Sequence, residues 1–248
     1  MAGKIYIGTS GWIYKGWAKT FYPENIRGTA LLAYYAQHFP TVEINASFYR
    51  LPEKKTFIGW RERAPRGFIY AVKGSRTVTH FKKLMPGAKS FDLLLSYATE
   101  LHEHLGPILW QLPGAFKKNA QRLDEFCASL PRGMRNAMEF RDCSWLDDEI
   151  FGILRKHNVA NVSLSSLGMP MNLDVTADFI YVRFHGLEGG AAHDYTRAEL
   201  EPWAVHLKSC ARKNIDAFVY FNNDINTRAP GNAKMLVEMV GKNAVLPH

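Results

Sequence analysis

The chain has 248 residues, 47% of them hydrophobic and 13% aromatic, which excludes disorder and suits either one α/β barrel or two small domains. Its formal net charge of +8 favours anionic partners such as phosphates, nucleic acid or acidic lipids, although a moderate surplus also serves solubility. Three widely spaced cysteines, Cys127, Cys143 and Cys210, form no C-x-x-C pair; they exclude a disulfide scaffold and fit a reducing compartment.

The chain opens on "KIYIGTSGW" with no signal-type apolar segment, and no apolar run approaches the ~18 residues that a membrane span needs. A soluble, cytoplasmic protein is expected. The first predicted strand is "KIYIG" (4–8), followed by a long loop, "TSGWIYKGWAKTFYPENIRG" (9–28). A helix follows over 29–39, with Leu32, Tyr35, Ala36 and Phe39 on one face. The second strand, "TVEIN" (41–45), and the third, "GFIYAVK" (67–73), precede a basic loop, "KGSRTVTHFKKL" (73–84).

A helix over 90–105, with Ser90 as its N-cap, leads to the fourth strand, "GPILWQL" (106–112). The helix over 119–130 starts from Asn119 and spaces Leu123, Phe126 and Leu130 on one side; the fifth strand, "NAMEFR" (136–141), comes next. The helix over 147–158 carries acids in its first turn and bases in its last, as the helix dipole favours. "VANVSLS" (159–165) and "FIYVRFHG" (179–186) are the sixth and seventh strands, a helix covers 197–214, and "DAFVYFNN" (216–223) and a helix over 232–243 end the chain.

Eight apolar runs rich in Val, Ile, Phe and Tyr, alternating with amphipathic stretches, predict parallel strands joined by helical crossovers. In this length they point to a single-domain TIM-type (β/α)8 barrel over residues 1–248, ahead of an open doubly wound sheet. Such a barrel builds its site at the C-terminal ends of its strands. There the chain places "GTSG" (8–11), Glu43 and Asn45, Lys73, Gln111, Glu139 and Arg141, Ser163 and Ser165, Arg183 and His185, and Asn222, Asn223 and Asp224. Alternate strand residues share a face, so Glu43 with Asn45, Glu139 with Arg141, and Arg183 with His185 should point together into the mouth. Buried charges need partners; the glutamates should therefore meet Arg141, Arg183 or Lys73.

The first loop interleaves Trp12, Tyr14, Trp17, Phe21 and Tyr22 with Lys15 and Lys19. It reads either as a stacking platform for bases or sugars or as a packed lid. The third loop gathers Lys73, Arg76, His80, Lys82 and Lys83, an anion-binding patch or a solvated basic face. "HGLEGG" (185–190) and "NNDINTRAPGN" (222–232) carry glycines where barrels often bind phosphate. A divalent metal held by Glu43, Glu139, His185 and Asp224 is a less favoured option, because Lys73, Arg141 and Arg183 would repel it. The chain has no G-x-S-x-G elbow and no G-x-G-x-x-G after a strand.

The motifs "IGTSGWIYKGW", "FPTVEINASFYRLP", "FIYAVKGSRTVTH", "LGPILWQLP", "EFRDCSW", "YVRFHG" and "VYFNND", in this order, resemble those of the YecE-like family, the domain of unknown function seventy-two. The segment "HGLEGGAAHDYTRAEL", with Tyr195 ahead of "EL", resembles the same family's region before its penultimate helix. The resemblance implies a TIM-type barrel without a settled reaction, likened to endonuclease IV-type phosphodiesterases with their His-rich metal cluster. This chain brings only His185 to its strand ends.

Two functions follow as expectations. In the first, an enzyme takes a phosphorylated or otherwise anionic small substrate. Glu43, Glu139 and His185 carry acid–base chemistry; Lys73, Arg141 and Arg183 hold the anion; and Asn45, Gln111, Asn222, Asn223, Asp224, Trp12 and Tyr14 line the substrate. In the second, the basic and aromatic loops bind or process nucleic acid. Under the first, Arg183→Ala should abolish ligand binding and leave the melting temperature near wild type. A structural salt-bridge plug is the third alternative, and the oligomeric state stays open.

Overall fold

A computed structural model describes residues 2–247. Eight parallel strands close into one barrel in chain order: β1 (Ile5–Ser10), β2 (Thr41–Ile44), β3 (Ile69–Lys73), β4 (Leu105–Gln111), β5 (Asn136–Glu139), β6 (Val159–Ser166), β7 (Phe179–Gly186) and β8 (Asp216–Phe221). The eight predicted runs are these strands, shifted by a few residues at their ends. Among the described residues no helix is long and apolar enough to cross a membrane.

Two cores form because alternate strand residues face opposite ways. Inside the barrel lie Ala71, Leu109, Ala137, Val162, Tyr181 and Tyr220 with their neighbours. The larger outer core packs the other strand face against the helices. These are α1 (Ala30–Ala36), α2 (Ala46–Tyr49), α3 (Lys54–Arg63), α4 (Lys89–Ala98), α5 (Ala120–Ser129), α6 (Asp148–Lys156), α7 (Arg197–Arg212) and α8 (Arg228–Val240). Local capping explains several starts: Asn119 accepts from Arg122 N at α5, Asp147 from Ile150 N at α6, and Thr196 with Glu199 forms a capping box at α7, each satisfying otherwise orphaned N–H groups.

Two helix starts need correction, and two connections, one helical and one not, were not foreseen. Ser90 is not a cap; α4 starts from Ala88, and the Ser90 hydroxyl is buried without a partner. The basic sequence "KKTFIGWRER" forms α3, burying only Phe57 and Trp60, too thin a stripe to announce a helix. α8 begins at Arg228 rather than 232, with Pro230 in its first turn, where its missing N–H costs nothing. The connection from β6 to β7 carries no helix. Thr176 ties it to the barrel instead, accepting from Asn161 N and donating to Val159 O at 2.7 Å each.

Candidate functional site

Parity decides which strand-end residues reach the mouth. Tyr181 belongs to the inner cluster, so Arg183 and His185 follow it inward on β7. Their polarity on an inward row is where the apolar core stops and a polar cup begins. Arg183 is fully buried and lies between two fully buried carboxylates. Its Nη2 donates to Glu43 Oε1 at 2.7 Å and its Nη1 to Glu139 Oε2 at 2.6 Å. Ser10 Oγ donates to Glu43 Oε1 at 2.7 Å, and Tyr181 OH to Glu43 Oε2 at 2.6 Å. Arg141 Nε donates to Glu139 Oε1.

Every carboxylate oxygen is thus taken. Burial alone would raise the pKa of Glu43, but Arg183, Lys73 and the two hydroxyl donors outweigh it and hold it below the usual carboxylate range. Glu139 also pays for burial, and Arg141 and Arg183 hold it well below that range. The same two glutamates overcome burial to raise the pKa of Arg183. The cup floor is an ionised Glu–Arg–Glu triad in which every carboxylate oxygen already accepts at least one hydrogen bond.

His185 sits above this floor. Its Nε2 lies 2.7 Å from Arg141 Nη2 and 3.1 Å from Arg183 Nη1. Guanidinium groups only donate, so Nε2 is the acceptor and Nδ1 carries the proton; the Asn222 side-chain amide lies 3.0 Å from Nδ1 and accepts from it with its oxygen turned toward the ring. Burial, then Arg183, lower its pKa to about 4 against the pull of Glu139. A folded pKa below the unfolded value of about 6.5 means the unfolded chain binds more protons between the two. Stability is therefore expected to fall by about 3 kcal/mol as pH drops from roughly 6.5 to 4. His185→Gln should flatten that limb in urea melts taken across the range; an unchanged limb would show that the loss arises elsewhere.

Lys73 ends β3 and is 8% exposed. Gly74 lets the strand run to this point: a Cβ there would fall 2.3 Å from the Trp110 ring. The Lys73 ammonium lies 4.3 Å from the centroid of the Phe48 ring. Burial, then Arg183, lower its pKa to about 8, while Glu139 and Glu43 resist. A cavity of about 450 Å³ opens beside the cup, lined by His80, Gln111, Gly114, Arg141, Ser166 and Leu167 among others. Its size suits a small ligand. Gln111 Oε1 lies 3.4 Å from Arg183 Nη1, so this residue joins the cavity to the cup. Neither His80 nor Ser166 was among the site residues expected from strand ends, because His80 lies in a helical turn after β3 and β6 runs one residue beyond its predicted end, to Ser166.

Other expected residues take different places. β2 stops at Ile44, and Asn45 starts the short α2 with helical backbone angles, its Oδ1 buried and unpartnered among the described residues. Strand alternation therefore does not set its direction. Asn223 points outward, where its amide donates to His193 O and Asn232 Oδ1 at 2.8 and 2.7 Å. On β6 the inner residue is Val162, so Ser163 and Ser165 face out, and Ser165 Oγ meets Tyr195 OH at 2.8 Å. From β6 the polar rim thus takes Ser166, at the strand's end, in place of Ser163 and Ser165.

Trp12 is no stacking platform: it is buried edge-on against Trp60 of α3. Trp17, Phe21 and Tyr22 are buried with it, so the first loop is a packed lid. Tyr14 is only partly buried, donates to Ser10 O, and has its pKa raised by burial, then by Asp224 and Glu43. Asp224 is half-buried, which raises its own pKa. Gly186 serves a tight turn at φ +91°, where a Cβ would overlap Gly190 O.

No group of three or more His, Cys, Asp or Glu residues placed to hold a metal ion occurs among the described residues. His185, the strand-end imidazole, spends its lone pair on two cations. The donor set does not fit the His-rich metal cluster that the family likeness implied.

The chain is similar to known proteins in sequence and in fold. UPF0759 protein YunF of Bacillus subtilis is 29% identical, covering 95% of this chain and 94% of that protein. UPF0759 protein YecE of Escherichia coli K12 is 29% identical over 55% of this chain and 48% of its own. A crystal structure of a DUF72 family protein from Thermotoga maritima superposes with a TM-score of 0.86 at 27% identity, over 96% of this chain and 99% of that one. One from Enterococcus faecalis, at 17% identity and a TM-score of 0.80 over 95% of each chain, shares the fold. The family model described as "Protein of unknown function DUF72" matches residues 6–248, and the chain belongs to the DUF72 family.

Proposed function

We propose that the chain is an enzyme acting on a small anionic substrate, a carboxylate or phosphate compound, bound where the cavity meets the cup. One observation carries this reading: three cations, Lys73, Arg141 and Arg183, meet only two carboxylates, Glu43 and Glu139, around a neutral His185. Three minus two leaves one positive charge in a site of low polarity, where an anion is worth most. Arg183 is consumed by the triad. Arg141 reaches the cavity and offers its fork to a carboxylate or phosphate, with Lys73 alongside. An anion that draws Arg141 off His185 Nε2 leaves that lone pair held only by the longer 3.1 Å contact with Arg183 Nη1, for which a substrate proton donor then competes. In this reading Gln111, Asn222, Asn45 and Tyr14 orient the substrate, and Glu43 and Glu139 act by positioning Arg183 and Arg141.

Titration calorimetry with inorganic phosphate and citrate at low salt tests this. Wild type is expected to bind, and Arg141→Gln to weaken binding by about tenfold or more. Equal binding by both proteins, or none by wild type, would remove the proposal.

A second reading rests on the outer surface. Tyr49 at the end of α2, Phe81 at the end of the helical turn after β3, and Leu167 just past β6 are each about two-thirds exposed. The Arg76 guanidinium lies 6.0 Å from the Tyr49 ring and 5.6 Å from that of Phe81. Exposed rings beside cations can stack single-stranded bases. Gel shifts with an oligonucleotide at low and moderate salt decide it: binding lost steeply with salt supports it, and no binding at low salt ends it.

A further inference from the structure

Among the described residues Lys73 is the one buried lysine. It forms no ion pair: the two nearby carboxylates are committed to Arg183 and Arg141. Its amine lies against the Phe48 ring, which the His80 ring meets edge-on at 5.0 Å. It also faces the charges of Glu43, Glu139, Arg141 and Arg183. Long-chain ammonium groups normally reach water or a carboxylate. One held back from both, at the active end of a barrel strand, is placed for covalent chemistry.

We infer that Lys73 is a nucleophile that forms an imine with the carbonyl carbon of a small aldehyde or ketone bearing a carboxylate or phosphate, the anionic group being held by Arg141. This rests on the anion-binding reading above and narrows its substrate class. The uncharged amine is available because burial and Arg183 lower its pKa to about 8. Its lone pair forms the N–C bond, and the carbonyl π pair moves to oxygen, which takes a proton. The carbinolamine then breaks its C–O bond and releases water, which carries off the carbonyl oxygen and, in the net balance, both amine hydrogens. Protonation of the imine nitrogen from solvent gives an iminium, whose positive charge the Phe48 face accommodates. The iminium accepts the electron pair of an adjacent C–H or C–C bond, so aldol-type, decarboxylation or proton-abstraction reactions come within reach without oxidant or reductant.

The test is trapping near pH 8. Wild type and Lys73→Met are incubated with pyruvate or glyceraldehyde 3-phosphate, then with sodium borohydride, and analysed by intact mass and peptide mapping. Wild type is expected to gain one reduced adduct on the peptide containing Lys73, and the variant at least about tenfold less. A neutral aldehyde of similar size should label Lys73 more slowly. Adducts spread equally over surface lysines in both proteins would overturn the inference. So would absence of adduct while either probe displaces bound phosphate, a result that leaves the anion-binding reading standing. If neither probe nor phosphate binds, both fall.

Discussion

Arg183→Ala is expected to destabilise the protein by about 3–5 kcal/mol, the usual cost of breaking a buried ion network from one side. Two fully buried carboxylates, each 2.6–2.7 Å from the guanidinium, lose their shared partner. The sequence alone suggested a ligand-binding arginine whose removal leaves the melting temperature unchanged; full burial between Glu43 and Glu139 reverses that expectation. The pH dependence should change as well. In wild type the lowered pKa values of Glu43 and Glu139 contribute stability above the unfolded value of about 4.3, and this is lost as pH falls through the folded values. In the variant, burial dominates and raises those values, so acidification should recover part of the loss. The triple variant Glu43→Gln, Glu139→Gln, Arg183→Met should recover more, since uncharged groups of similar volume replace such networks at little cost. Urea denaturation at several pH values reads all three, and a midpoint for Arg183→Ala equal to wild type would refute the triad as the floor of the cup.

Lys73→Met is expected to raise stability at pH 7 by about 1–3 kcal/mol while abolishing imine trapping. The folded amine releases its proton at about 8, against about 10.4 in the unfolded chain. Between those values the unfolded chain holds more protons, so wild-type stability should rise with pH from about 8 to 10.4. Below that window both states are protonated and the full penalty of the buried charge is felt. The methionine variant keeps the length of the side chain against Phe48 and should lack this rise. The groups facing the amine, Glu43, Glu139, Arg141, Arg183 and His80, remain in the variant, so the difference between the two profiles isolates Lys73. A variant less stable than wild type at pH 7 would mark Lys73 as a structural cation. A gain in stability joined to loss of function is what a residue maintained against its own folding cost produces.

Much of the architecture follows from local chemistry. Eight runs of β-branched and aromatic residues, separated by helical stretches, require parallel strands. The period of two along β2, β5 and β7 places Glu43, Glu139, Arg183 and His185 on inward rows. Those assignments need only chain order, and the barrel bears them out. The rule fails where the phase is ambiguous. "NVSLS" on β6 has serine and apolar residues alternating, and the inner seat of Val162 turns Ser163 and Ser165 outward. Asn222 and Asn223 are neighbours with the same side chain; the strand sends one to His185 and the other to Asn232.

What only the tertiary structure decided is who pairs with whom. Glu43 and Arg183 are 140 residues apart and meet at 2.7 Å, and no local pattern encodes that contact. It converts two candidate acid–base groups into an ionised floor and removes Arg183 from the set of free anion-holding groups. It also leaves Lys73 outside the ion pairs, and Arg141 lining the cavity beside a neutral His185. The sequence by itself determined the barrel, because backbone propensity and hydrophobic period act between near neighbours. The chemistry of the cup waited on the fold, because charge state depends on burial and on partners that only the closed barrel brings together.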